Sequence, residues 1–170
     1  MSKENKKNKE LVEKLNSGNN NLIFEALKEI KKEGTISIIP HLFDLINENT
    51  SDIIKKDIVG LICDIKVQSA APLLVDAILT RKFGEYTSDV ISIFWQSRLD
   101  FSKYLPVFVR IFIKEDYQTA LEAFTVVEGA IPNMSIEIQK ECIDILKTAE
   151  ESITHMKRPL YEELIKVISY

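Results

Sequence analysis

Apolar positions in this chain recur at steps of three and four. Ile54, Ile58, Leu61, Ile62 and Ile65 leave Lys55, Lys56, Asp57 and Asp64 between them, which lays one apolar stripe along a helix. The same stepping runs through Ile23, Leu27 and Ile30, through Ile138, Cys142, Ile145, Leu146 and Ala149, and through Leu160, Leu164, Val167 and Ile168. Strict alternation, the mark of a half-buried strand, is confined to the short pairs Ile91/Ile93 and Ile111/Ile113. The many isoleucines therefore do not announce strands, and the period predicts helices.

Three prolines set a longer period. Pro40, Pro72 and Pro106 each stand inside an apolar segment, 32 and 34 residues apart, with Ser37, Ser69 and Ser102 three or four residues upstream. Proline fits the first turn of a helix, where its missing N–H had no partner in any case. Each serine is then expected as an N-cap, its oxygen accepting from a free backbone amide. Carrying the same offsets onto the Ile54 stripe aligns Ile54 with Tyr86 and Ala120, Ile58 with Val90 and Phe124, and Leu61 with Ile93 and Val127. Ile62 aligns with Phe94 and Glu128, and Ile65 with Ser97 and Ile131, so that Glu128 and Ser97 alone interrupt the apolar columns.

Periods of this length mark stacked repeats. Each repeat reads as a proline-bearing first helix, a polar link at 47–52, 81–85 or 114–118, and a second helix. Segments 9–16 with 21–32, and 135–151 with 159–168, supply a further pair at each end, five pairs in all. The breaks fall at 17–20, Gly34, Gly84 and 131–134, all turn-forming sequence. Residues 1–7 are expected as a disordered basic tail and residues 8–170 as one domain. Ile58 and Leu61, in the best-kept columns of the middle repeat, are expected at the centre of the core.

These columns resemble those of HEAT-type repeats, a family that overlaps with armadillo-like arrays. Its first helix carries a proline followed by Leu-x-x-Leu, and its second opens with Val-Arg and runs toward Leu-Gly-x-Ile. Pro40-His-Leu-Phe-Asp-Leu-Ile and Ile54-Lys55 through Leu61-Ile62-Cys63-Asp64-Ile65 match best. Pro72-Leu-Leu-Val-Asp-Ala-Ile-Leu matches the first helix alone, since Tyr86-Thr87 stands in place of Val-Arg. The resemblance covers residues 35–131 by motif. It implies an all-α, right-handed superhelix of about five antiparallel helix pairs, a short solenoid whose second helices line a concave face used for protein binding. It brings no catalytic residue with it.

Composition narrows the function further. With 45% hydrophobic residues, 170 residues can bury a core without metals or disulfides, and five Gly and five Pro are too few for a many-stranded barrel. The net charge of −4 lacks the cationic excess that phosphate-backbone binding requires, so no nucleic-acid partner is expected. The longest stretches without a charged residue are half of what a bilayer span needs, and no apolar run follows the basic N-terminus as a secretory signal would, so neither membrane nor export is expected. Cys63 and Cys142, single and set among apolar neighbours, suit reduced thiols in a cytoplasmic protein.

Candidate chemistry is sparse. His41 and His155 stand apart, without a second His or a Cys at helical spacing, so no metal or other cofactor is expected. Neither a nucleophile elbow nor a Gly-rich phosphate loop occurs. Glu150/Glu151 and Glu162/Glu163 are adjacent in sequence and point to different sides of a helix. The expected function is therefore a non-enzymatic, monomeric interaction module, an adaptor or scaffold that docks a peptide or helix of another protein. The alternative is an enzyme or accessory subunit on a HEAT-like frame, such as a DNA glycosylase or a cofactor lyase. The expected partner surface follows the second helices through Lys56, Ser88, Ile91, Trp95 and Glu122, with Trp95, one position past the core column, as its anchor.

Overall fold

The structure, a computed structural model, describes residues 3–33 and 36–169. Within them the chain is all-α, with ten α-helices and no strand. They follow one another as five pairs: α1 (Lys3–Leu15) and α2 (Asn20–Glu33), α3 (Ile39–Asp44) and α4 (Asp52–Cys63), α5 (Ala71–Thr80) and α6 (Thr87–Gln96), α7 (Leu105–Lys114) and α8 (Tyr117–Ala130), α9 (Ile136–Ala149) and α10 (Arg158–Ser169). The first helix begins at Lys3, not Lys9, so residues 3–7 are helical where a tail was expected; lysine and glutamate, frequent there, are good helix formers. Met1, Ser2 and the expected break at Gly34 lie outside the described residues. No described helix is long and apolar enough to cross a membrane.

Pro40, Pro72 and Pro106 each occupy the opening turn of their helix, α3, α5 and α7. The serines upstream do not cap those helices. A 3₁₀ turn precedes each one, at Ile36–Ile38, Gln68–Ala70 and Ser102–Tyr104, and Ile38, Ala70 and Tyr104 at the cap positions give no side-chain bond. Backbone carbonyls do that work instead: the Ala70 N–H donates to Val67 O at 2.9 Å and the Tyr104 N–H to Phe101 O at 2.8 Å. The repeat is thus visible in local geometry as well as in sequence, as a 3₁₀ turn leading into a proline-bearing helix. Side-chain caps appear elsewhere. Asp116 Oδ1 accepts from the Thr119 N–H at 2.8 Å before α8, and Ser135 Oγ from the Ile138 N–H at 3.4 Å before α9. Gly18 and Gly84 take the left-handed conformation, with φ of 67° and 55°, where a side chain would be strained.

The helices fall into two compact units, Met1–Tyr86 and Thr87–Tyr170, so that the boundary divides the third pair between α5 and α6. In the first unit α1 packs on α3 and α3 on α5, while α2 packs on α1 and α4. In the second, α6 packs on α8 and α8 on α10, while α7 packs on α8 and α9. Each unit therefore has two layers, one of first helices and one of second helices, in which every helix lies beside the next of its own kind.

The core follows the predicted columns in part, with Tyr86, Leu61, Ile65 and Ile131 only half-buried. Ile58, Val90 and Phe124, which share a column, are all buried. Leu61 is half-buried, not central: α4 turns Ile54, Lys55, Ile58 and Ile62 inward, and Leu61 stands at the edge of that arc. There it lines a cavity of about 140 Å³ with Ile30, Ile38, Ile39, Leu42 and Ile65. Lys55 is buried on the other flank. Its Nζ lies 3.6 Å from the centroid of the Tyr86 ring and 3.0 Å from Asp52 Oδ1. Burial opposes this charge, but the Tyr86 and Asp52 oxygens outweigh it and hold the pKa above the ordinary lysine value. In the second unit, Phe94 packs edge-on against Phe101 and Phe108, with ring centroids 4.8 and 4.9 Å away.

Candidate interaction surface

Trp95 ends the apolar arc of α6. Val90, Ile91, Ile93 and Phe94 are buried, whereas the next side chain, Trp95, is 46% exposed. Its indole N–H donates to Glu122 Oε2 on α8 at 2.6 Å, so the ring is held between the two helices while much of its area faces outward. The repeat offset aligns Trp95 with Gly129, yet its partner lies two turns earlier. Helical side chains lean toward the N-terminus of their own helix, which carries the indole back over Glu122. Gly129 instead joins Trp95, Ser97, Asp100 and Asn133 in lining a cavity of about 110 Å³ beside the ring.

The other expected site residues divide. Ser88, in the first turn of α6, is half-buried. Ile91 is 2% exposed and belongs to the core, a correction to its expected place on the outer track. At about 100° per residue it lies between the directions of Phe94 and Trp95, inside the arc that packs inward. Lys56 is exposed on α4, in the first unit, where it lines a groove of about 500 Å³ with Phe24, Lys28, Lys31 and Gly60. Cys63 borders the same groove, and burial followed by the nearby Asp64 charge raises its thiol pKa.

Helix α8 carries two exposed apolar residues that the repeat columns do not predict. Tyr117 and Leu121, 42% and 40% exposed, stand one turn apart on α8 and continue the outer face next to Glu122. Each is followed directly by a polar residue, Gln118 and Glu122, whereas the repeat columns mark only the inward face of the helix. A second open groove, of about 800 Å³, runs between α7 and α9. Its charges oppose one another, with Arg110 3.5 Å from Glu141, and it has no exposed aromatic anchor.

Among the described residues no group of three His, Cys, Asp or Glu side chains is placed to hold a metal ion. His41 and His155 belong to different units. Burial, with the Glu141 charge, pushes the Cys142 thiol up to about 12, which leaves it protonated at neutral pH. No protein-family model matches the chain, and no curated protein matches it.

Proposed function

We propose that this chain is a HEAT-like helical-repeat interaction module, a non-enzymatic cytoplasmic monomer that docks a peptide or helix of another protein on the second-helix face carrying Trp95. One observation carries the reading: Trp95 is nearly half exposed, yet its polar atom is already satisfied by Glu122. An indole fixed in this way offers a large apolar area and loses little side-chain freedom on binding, which is what makes tryptophan a frequent interface anchor. Ser88 and Glu122 flank it on α6 and α8, and Leu121 extends the apolar area. Lys56 belongs to a separate groove in the first unit and serves at most as a second contact region.

Parallel capture from the native cell with the wild-type chain and with Trp95→Ala, read by mass spectrometry, tests the proposal. A partner retained by the wild type should bind Trp95→Ala more weakly by over about 1 kcal/mol, with helical content unchanged. A partner held equally by both proteins would remove Trp95 from the binding surface.

A further inference from the structure

The chain's negative charge is unevenly placed. Met1–Tyr86 carries thirteen Lys and Arg against thirteen Asp and Glu, whereas Thr87–Tyr170 carries nine against thirteen, the whole of the net −4. Within that second unit the imbalance is sharpest in the two helices that carry Trp95 and Glu122, although the exposed Arg98 follows α6. Neither α6 nor α8 contains a single Lys or Arg, while between them they hold Asp89, Glu122 and Glu128. Elsewhere carboxylates are commonly answered by a cation, as Glu141 is by Arg110, Glu150 by Arg158 and Glu163 by Lys166. Glu122 and Glu128 have no such counterion among the described residues.

Resting on the reading of Trp95 as an anchor, we propose that this face docks a basic amphipathic segment of a partner protein, with a lysine or arginine of that segment seated against Glu122 and the Trp95 ring. The geometry provides each element of such a contact. Glu122 spends one oxygen on the indole N–H, which leaves the second available to an ammonium or guanidinium. The exposed indole beside it attracts the same cation through its π face. Tyr117 and Leu121, one turn apart, match the spacing of apolar side chains on a docked helix. An acidic segment, or the same face of a second copy, would meet carboxylates with carboxylates.

Trp95 is the only tryptophan in the chain, so its emission reports on this surface in the unmodified protein. The full-length chain is titrated with a synthetic helix-forming peptide of Lys and Leu at amphipathic spacing, and separately with its Glu/Leu counterpart. The Lys/Leu peptide should shift the emission saturably and more tightly than the Glu/Leu peptide. Glu122→Lys should weaken it by at least about tenfold and Glu122→Gln by less, whereas Glu151→Lys, an equal charge change at an exposed position elsewhere in this unit, should stay within about twofold. Circular dichroism verifies that each variant is folded. An absent response to the Lys/Leu peptide, equal or tighter binding of the Glu/Leu peptide, or an equal loss in Glu151→Lys would overturn the basic-partner assignment. A Glu/Leu peptide that binds the wild type and, by isothermal titration calorimetry, no longer binds Trp95→Ala would do so while leaving the anchor reading intact. A native partner indifferent to Trp95→Ala would defeat the anchor reading itself.

Discussion

Individual side chains show where periodicity succeeds and where it stops. Ile58 is fully buried and Leu61 is not, although both hold good columns in the repeat. Lys55, its ammonium over the Tyr86 ring, closes one edge of the buried arc of α4, and Leu61 falls at the opposite edge. A sequence pattern counts lysine as polar and places it outside; the energetics of a cation over an aromatic ring put this one inside. Ile58→Ala should therefore cost about 2 to 5 kcal/mol, whereas Leu61→Ala, beside an existing cavity, should cost less than about 2. Urea denaturation midpoints compare the two directly. A larger loss for Leu61→Ala would mean that the buried arc of α4 is centred elsewhere. The same limit applies to Ile91, which stands so near the edge of its arc that a shift of under one residue separates core from surface.

At the level of helices, the prolines were legible because their effect is local: a ring that tolerates only the first turn marks a start wherever it stands. The serines misled because a preceding 3₁₀ turn meets the same amide donors from the backbone. Long-range caps leave no local trace at all. Lys157, in the connection before α10, is 6% exposed and donates to the carbonyls of Phe112, Ile113 and Glu115 at 3.0, 2.7 and 2.9 Å. It thereby closes the C-terminal end of α7, more than forty residues away, where a cation also complements the negative end of the helix dipole. Burial pulls its pKa below the ordinary lysine value, against the raising influence of Asp116 and Glu115. Lys157→Met keeps the apolar stem and leaves those carbonyls unanswered, which should cost about 1 to 3 kcal/mol. Arg158→Met, next in sequence and pairing with Glu150 at the surface, should stay within about 1. Equal midpoints for the two variants would show that the α7 carbonyls are satisfied without the lysine.

Across the whole molecule, burial is distributed unevenly, and that sets which parts open first. Among its described side chains helix α1 contributes two buried residues, Leu11 and Leu15, and it packs on α2 and α3. Helix α7 buries Leu105, Pro106, Phe108, Val109 and Phe112, and α8 buries Thr119, Ala120, Ala123, Phe124, Val126 and Val127 while packing on α6, α7 and α10. Local opening free energy rises with the apolar contacts that must be broken, so amides in α7 and α8 should report the slowest exchange and those in α1 the fastest. This ordering also bears on the proposed surface. Glu122, Leu121 and Tyr117 ride on α8, which supplies them with a rigid base, and a contact surface held rigid before association loses less entropy in forming a complex. Hydrogen exchange followed by mass spectrometry resolves these segments. Peptides from α7 and α8 should remain protected long after those from α1 have exchanged, and protection in α1 equal to that in α8 would contradict the link drawn between burial and local stability.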